Sequence, residues 1–174
     1  MGATTEEIRH QSAVLGERDL IFVTVGGMRG FERLVCQMDL IADELEEQVT
    51  MQIGSTDYEP RNCDYSRFMP RDDMKKLYAD ARVVVCHAGI GSILTAVKHK
   101  KPLILVPRIK RYGEHIDDHQ LEIAREMESR GITVVYDISN LQSAVENVDI
   151  GPIEIKGETA LVHMLKEYLD QLET

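Results

Sequence analysis

The segment His87-Ala88-Gly89-Ile90-Gly91-Ser92 is the first candidate for chemistry in this chain. It follows three consecutive valines and precedes a helical pattern, which predicts a buried parallel strand that enters a helix through a tight turn. Such a turn directs backbone N–H groups, supported by the helix dipole, at a ligand in front of it. A phosphate suits this arrangement best. The segment therefore predicts phosphate binding by Gly89, Gly91 and Ser92, with an ordinary tight turn as the alternative.

A second glycine turn, Gly26-Gly27, closes the first apolar run of the chain. In open parallel sheets, ligands bind beyond the carboxyl ends of the strands, where the strand order reverses. The first and fourth strands flank that point in one common winding order, so both glycine turns would face it. Neither turn is a GxGxxG or a P-loop sequence. His87 could donate to ligand oxygens there, or it could be a buried histidine whose partners lie within the protein.

A polar cluster, Asp118-His119-Gln120, stands at the start of a later helical pattern. Asp and Gln together offer a sugar hydroxyl both an acceptor and a donor, so the cluster predicts sugar recognition. His115 and His119 are spaced i, i+4 and could share a helix face as a metal-binding pair, although no third ligand is evident. A capped helix start with surface histidines is the remaining alternative.

A basic segment, with Arg108, Lys110 and Arg111, follows the fifth predicted strand of a chain whose net charge is −10. It is either a solvated loop or a loop that neutralises a phosphate or a carboxylated sugar. The overall negative charge makes duplex nucleic acid a poor partner, because its phosphate backbone would be repelled. Any anionic ligand must therefore be bound by local cations or by backbone donors.

Phe68-Met69-Pro70 ends a predicted strand at the same edge of the sheet. Because Pro70 interrupts strand pairing, backbone groups at this point could pair with a nucleotide base. A simple strand stop is the alternative.

Strands that alternate with helices predict an α/β fold, in which helices cover both faces of a parallel sheet. The predicted strands are 20–25, 49–53, 65–69, 82–87, 103–106 and 132–136. The predicted helices are 31–47, 71–81, 91–99, 117–130, 140–147 and 158–172. The chain thus divides into a lead-in, 1–18, a Rossmann-like domain, 19–156, and a C-terminal amphipathic segment, 157–174. The apolar face of that last helix, which includes Leu161, Leu165, Tyr168 and Leu172, suits core packing or a partner.

The 174 residues suffice for one domain with a sizeable core. The 3 cysteines form no CxxC pair, so we expect a reducing cytosol and no disulfide framework, with Cys36 and Cys86 in the core. The first eighteen residues lack the apolar run of a signal peptide, and no stretch is as long as a membrane span. Work at a membrane would therefore need recruitment by another molecule.

Three segments taken together, 87–92, Lys101-Pro-Leu-Ile-Leu-Val-Pro107 and Asp118-His-Gln-Leu-Glu-Ile-Ala124, resemble the C-terminal, donor-binding half of B-type glycosyltransferases. The opening Phe22-Val-Thr-Val-Gly-Gly27 matches as well. The chain is most similar to stand-alone donor subunits of split enzymes, such as the small subunit of the eukaryotic dolichol-linked N-acetylglucosaminyltransferase. The segment 113–120 resembles the small subunits of bacterial two-part exopolysaccharide glucuronosyl- or galactosyltransferases. The resemblance covers about residues 20–147.

This resemblance implies a UDP-sugar donor and a single half-domain of the B-type fold. The diphosphate would be held by His87, Gly89, Gly91 and Ser92, and Gly26-Gly27 would close its pocket. The sugar would be bound by Glu114, Asp118, His119 and Gln120. Uridine would lie against Phe68 and Met69, with Thr95 at the position where many relatives have a ribose-binding Glu. B-type enzymes need no bound metal, because helix N-termini and cations stabilise the leaving diphosphate.

The resemblance also implies that the acceptor site and the general base belong to a separate, membrane-anchored subunit. We therefore expect the donor-binding catalytic subunit of a heteromeric inverting glycosyltransferase, cytoplasmic and recruited by its partner to the inner membrane face. It would transfer a sugar from UDP to a lipid-linked acceptor in polysaccharide or glycan synthesis. Thr95 leaves open a non-catalytic enhancer subunit. A nucleotide-sugar epimerase or hydrolase is the third alternative, for which this chain lacks a second domain.

Overall fold

Six parallel strands form one sheet in the computed structural model, which describes residues 19–149, 153–155 and 157–172. The predicted lead-in, 1–18, lies outside the described residues. The strands are β1 Leu20–Thr24, β2 Gln48–Gln52, β3 Asp64–Ser66, β4 Val83–His87, β5 Leu103–Val106 and β6 Thr133–Val134. The central strands β1, β4 and β5 are predominantly apolar in sequence, as expected for parallel strands that are buried on both faces.

The strand order is β3-β2-β1-β4-β5-β6, and all neighbouring strands are parallel. Val23 is in register with Met51 of β2 on one side and with Val85 of β4 on the other. The chain therefore builds the sheet outward from β1 to β3 and then outward in the opposite direction from β4 to β6. The order reverses between β1 and β4, which confirms that the first and fourth strands flank the switch point.

Helices cover both faces of the sheet, which confirms the predicted Rossmann-like α/β class. They are α1 Glu32–Glu44, α2 Arg71–Asp80, α3 Ile90–Lys98, α4 His119–Ser129, α5 Leu141–Asn147 and α6 Glu158–Leu172. Short 3₁₀ turns occur at Lys110–Tyr112 and Ile138–Asn140. None of the described helices combines the length and apolar character that a bilayer span requires.

Alternate strand residues supply two separate cores. Ile21 and Val23 point to the face covered by α1 and α5. Phe22, between them, joins the core under the other four helices. Leu161 and Leu165 of α6 are buried in that second core. Of the two alternatives for the apolar face of this helix, core packing or a partner, the structure shows core packing for these two residues.

Three predicted boundaries are wrong, and each has a local cause. The predicted strand 65–69 ends at Ser66, because the Arg67 carbonyl accepts from Gly54 N and Gln52 Nε2, both at 2.8 Å. Phe68 and Met69 therefore lie in a bend. The predicted helix 31–47 ends at Glu44. Glu47, beyond it, forms a two-bond ion pair with Arg82 at 2.6 and 2.8 Å.

The third boundary is the edge strand predicted over 132–136, which has only two paired residues, Thr133 and Val134. An edge strand has a neighbour on one side alone, so pairing stops early there. The cysteines are free, but only Cys86 is fully buried; Cys36, predicted to be a core residue, is half-buried.

The long loop after β2 is held by a buried carboxylate that the sequence did not suggest. Asp39 of α1 accepts hydrogen bonds from the Tyr58 hydroxyl at 2.7 Å and from the backbone N–H groups of Arg61 and Asn62 at 3.0 and 2.8 Å. Asp39 is 1% exposed. A buried carboxylate with several donors fixes the loop firmly against α1.

Candidate functional site

The N-terminus of α3 is open towards the carboxyl edge of the sheet. Gly89 caps it in an extended conformation (φ −84°, ψ 135°), without a side-chain cap, and the first turn contains the uncharged residues Ile90, Gly91 and Ser92. By contrast, α1, α2, α4 and α6 carry acidic residues in their first turns. A Cβ on Gly91 would have no neighbour within 4 Å. The space beside Gly91 at the start of α3 is therefore open, as an anion site at a helix N-terminus requires.

The β1 turn meets the β4 turn at His87. Gly26 has φ +76°, and a Cβ there would lie 2.7 Å from His87 Nε2. A Cβ on Gly89 would lie 2.1 Å from His87 Cε1. Both positions therefore require glycine as long as the imidazole keeps its place. We call the space between these turns, lined by Gly26, Gly27, Gly89 and Gly91, the crevice.

His87 connects the glycine turns with the polar cluster. Its Nδ1 lies 2.9 Å from Arg108 Nη1 and 3.3 Å from Gln120 Nε2, and its Nε2 lies 3.3 Å from Ser92 Oγ. Burial lowers the pKa of His87 to about 3, with further contributions from the Arg108 and His115 charges. The imidazole is therefore neutral near pH 7, in the form that can both accept and donate a hydrogen bond.

Gln120 is the member of the predicted sugar cluster that the structure brings to the glycine turns. It is buried, its Oε1 accepts from the Arg108 N–H at 3.0 Å, and its Nε2 faces His87. Asp118 is exposed and accepts from the Lys110 N–H at 2.9 Å. His119 is also exposed, 3.4 Å from Glu122, and its ring centroid lies 6.5 Å from that of Tyr168.

Asp118 lies beside a surface cavity of about 570 Å³ that is not lined by the glycine turns. Arg33, Arg111, Tyr112 and Arg125 are among the residues that line this cavity. The three consecutive residues 118–120 therefore face different surroundings: Asp118 the cavity, His119 the region of α6, and Gln120 the crevice. Their joint contact with one sugar stays a prediction.

Glu114 has an internal role in the structure. Its carboxylate pairs with Arg33 at 2.6 and 3.0 Å and accepts from the Ile109 N–H at 2.9 Å. Three donors within the protein already bind this carboxylate, and its contact with a sugar hydroxyl stays a prediction.

The predicted basic loop is divided by the structure. Arg108 is 3% exposed and turned into the fold, apart from the two surface cations. Its Nη2 donates to the carbonyls of Val25 and Arg29 at 2.7 and 2.8 Å. Lys110 and Arg111 are exposed, and Arg111 donates to the Tyr112 hydroxyl at 2.9 Å. Neutralisation of a ligand by these two residues stays a prediction.

The residues predicted to bind uridine come from two elements, the segment after β3 and the helix α3. Phe68 is 62% exposed in the bend after β3, and Met69 packs against the core under α2 and α3. Thr95, one turn along α3, donates its hydroxyl to the Gly91 carbonyl at 2.8 Å. The binding of a base or a ribose by these residues stays a prediction.

The segment that contains His115 and His119 forms a capped helix start. Asp117 Oδ1 lies 2.9 Å from His115 Nδ1 and accepts from the His119 N–H at 3.1 Å. Within the described part of the chain, no group of three or more His, Cys, Asp or Glu residues is arranged to hold a metal ion.

Gln52 is a positioning residue that sequence reasoning missed. It is buried at the end of β2, in register with Thr24, whose hydroxyl donates to Gln52 Oε1 at 2.6 Å. Gln52 Nε2 donates to the Gly26 carbonyl at 3.2 Å, which helps to hold the first turn. The sequence did contain one signal for Gln52: it is a polar residue at the end of a strand whose three preceding residues are buried.

Comparison with known families identifies the domain. Residues 20–154 match the sequence profile described as "Glycosyltransferase family 28 C-terminal domain". The match covers all six strands of the sheet and the helices α1 to α5.

Curated relatives carry related names. The chain is 31% identical over 150 residues to the UDP-N-acetylglucosamine–N-acetylmuramyl-(pentapeptide) pyrophosphoryl-undecaprenol N-acetylglucosamine transferase of Anaeromyxobacter dehalogenans strain 2CP-C, covering 79% of this chain and 37% of that protein. It is 28% identical over 109 residues to the UDP-N-acetylglucosamine transferase subunit ALG13 of Candida albicans, covering 63% and 34%. The chain thus spans little more than a third of either relative.

A solved structure has the same fold. The solution structure of ALG13 superposes with a TM-score of 0.53 at 18% identity, covering 80% of this chain and 89% of that one. At this identity the superposition supports the Rossmann-like architecture, not the function.

Proposed function

The chain belongs to the glycosyltransferase family 28 C-terminal domain family, and we propose that it is the donor-binding part of a glycosyltransferase that uses a UDP-sugar. The observation that carries this proposal is the open, uncharged N-terminus of α3 at the β1/β4 switch point, linked through His87 to Gln120. The names of the relatives, which specify UDP-N-acetylglucosamine, support a UDP-sugar as the donor.

In this proposal the diphosphate occupies the crevice. Gly89, Gly91 and Ser92 offer the N–H groups of the α3 N-terminus, Gly26-Gly27 form the opposite wall, and His87 lies between the turns. The helix dipole then stabilises the charge that develops on the leaving UDP, without a requirement for a metal ion. Lys110 and Arg111 would add positive potential at the edge of the site.

The sugar would extend from the diphosphate towards α4. Gln120 adjoins His87, while Asp118 and His119 lie on the exposed side of the same helix start. The uridine would extend in the opposite direction, towards Thr95, Phe68 and Met69. This order follows from the sheet, in which β3 and β5 lie on opposite sides of the β1/β4 pair.

We propose that the acceptor site and the general base belong to a separate, membrane-anchored subunit, and that transfer to a lipid-linked acceptor inverts the sugar linkage. This partner would recruit the chain to the cytoplasmic face of the membrane. One finding supports the division: the relative from Candida albicans is named a transferase subunit.

Substitution of Gly91 tests donor binding. Gly91→Asp places a carboxylate in the open space before α3, where it is compatible with the helix dipole but repels a diphosphate. We expect it to weaken UDP binding at least about tenfold, measured by calorimetry, and to leave the melting temperature within a few degrees of the wild-type value. Gly91→Asn, of equal size but neutral, is the matched control and should retain most of the affinity.

The wild-type result decides the proposal first. Absence of UDP binding by the wild-type chain, even with its partner subunit added, would refute the proposal. Equal UDP affinity of Gly91→Asp and the wild type would place the donor elsewhere.

A non-catalytic enhancer subunit is the second candidate. The observation in its favour is Thr95, whose hydroxyl is bonded to the Gly91 carbonyl where many relatives have an acid. In a complex with the partner, Gly91→Asp would abolish sugar transfer if this chain binds the donor. Unchanged transfer would instead establish the enhancer role.

A further inference from the structure

Arg108 is a buried cation whose partners are unusual. Among the described residues, its side chain donates to the carbonyls of Val25 and Arg29, contacts His87 Nδ1, and leaves Nε without any partner. Its guanidinium also lies 5.0 Å from the centroid of the Phe31 ring. A buried charge is costly unless an opposite charge compensates it.

The nearest acids do not provide that compensation directly. Glu114, whose charge acts on Arg108, forms its hydrogen bonds with Arg33 and Ile109 instead. Glu32 accepts from the Asp57 N–H. Among the described residues, Arg108 therefore has no direct ion pair, and these acids act on its charge only from a distance.

The arrangement also fixes the proton of His87. A guanidinium can only donate, so His87 Nδ1 must accept, and the ring proton must be on Nε2. Gln120 agrees with this assignment, because its Oε1 accepts from a backbone N–H, which leaves its NH₂ group to face the same Nδ1. The Nε2–H then points to Ser92 Oγ, on the side of the two glycine turns.

We propose that Arg108 is a positioning residue for the donor diphosphate, which acts through His87 rather than by direct contact. It holds the imidazole with Nε2–H towards the crevice and places behind it a positive charge that has no direct ion pair among the described residues. This inference rests on the proposed function, because it assigns Arg108 a part in binding the UDP of the donor. Direct contact is not required, since the Nη atoms are already engaged by carbonyls and by His87.

A double-mutant cycle with UDP as the probe tests this inference. We expect Arg108→Gln to weaken UDP binding about tenfold or more, as for loss of a charge-assisted interaction. Because Arg108 acts through His87, the double variant with His87→Gln should bind much more tightly than additive effects would predict. Arg108→Lys, which keeps the charge and can donate to His87, should recover part of the loss.

Arg82→Gln is the matched control. Arg82 precedes β4 at the opposite edge of the sheet, where it is also largely buried and pairs with Glu47. Its substitution should lower the stability and leave UDP affinity unchanged. This result would separate a general loss of stability from a specific effect on the crevice.

The tautomer is a readout that a merely structural role would not change. Long-range ¹H–¹⁵N spectra of the full chain should show His87 protonated on Nε2 in the wild type and in Arg108→Lys. They should show a mixture of tautomers in Arg108→Gln. If Arg108→Gln does not fold, the wild-type and Arg108→Lys spectra still test the assignment, and protonation on Nδ1 in either would overturn the inference.

The outcomes distinguish the two proposals. Absence of UDP binding by the wild type would overturn the proposed function and this inference together. Normal wild-type binding, with equal binding by folded Arg108→Gln or with additive effects in the cycle, would overturn the inference alone.

Discussion

At the residue scale, the single side chain of His87 makes the stability of this protein depend on pH. Its pKa is about 3 in the fold, against an ordinary value of 6.5. Between these two pH values, the unfolded chain binds a proton at His87 and the folded chain does not. Acidification stabilises the state that binds more protons, which here is the unfolded state. This group therefore lowers the free energy of unfolding as the pH falls from about 6.5 towards 3.

We therefore predict that His87→Gln flattens the pH dependence of stability. The wild type should lose up to about 1.4 kcal/mol per pH unit more than the variant between pH 6 and pH 4. Urea unfolding of both proteins at pH 6, 5 and 4 measures this difference. Parallel stability curves would show that the imidazole is not held neutral by burial.

Contacts between side chains could be predicted from the sequence where the residues lie near the ends of neighbouring strands. His87 contacts both Ser92 and Gln120, and the second contact is possible because β4 and β5 are neighbours. The direction of Arg108 could not be predicted. It is set by carbonyls at Val25 and Arg29, about 80 positions away in the chain, which no local pattern reveals. The ion pair of Glu114 with Arg33, 81 positions away, could not be predicted either.

At the scale of the elements, the two glycine turns are shaped by contact with one imidazole. Gly89→Ala would bring a Cβ to 2.1 Å from His87 Cε1, and Gly26→Ala would add strain at φ +76°. We expect each substitution to lower the free energy of unfolding by about 2 kcal/mol, as overpacking does. Chemical denaturation measures the loss.

Gly27→Ala is the matched control for this prediction. A Cβ there would meet nothing within 4 Å, so its cost should stay below about 0.5 kcal/mol. Equal stability of all three variants would mean that His87 moves aside freely, contrary to the contacts described.

The central elements were predictable because burial on both faces gives long apolar runs. β1, β4 and β5 all lie within such runs, and the adjacency of β1 and β4 was expected from one common winding order of parallel sheets. The edge strands β3 and β6 were predicted too long, since pairing at an edge depends on tertiary contacts. At β3 these contacts are the bonds from Gly54 and Gln52 to Arg67.

At the scale of the whole molecule, an acidic chain is proposed to bind an acidic ligand. The net charge is −10, yet the crevice is built from uncharged glycines, a neutral histidine and a helix N-terminus, with Arg108 behind it. Short-range donors therefore determine the local potential, while more distant acids are screened by salt. The chain spans little more than a third of two named relatives, so the acceptor side of the reaction stays a proposal.

The central claim is that the glycine turns and the start of α4 bind one donor molecule. Titration of the ¹⁵N-labelled chain with UDP-N-acetylglucosamine, followed by ¹H–¹⁵N spectra, tests it most directly. We predict shifts at the amides of residues 26–27 and 89–92 and at the side-chain amide of Gln120, with UDP alone reproducing those of the glycine turns. Saturating ligand that leaves these amides unchanged, or that shifts only one of the two regions, would contradict the account.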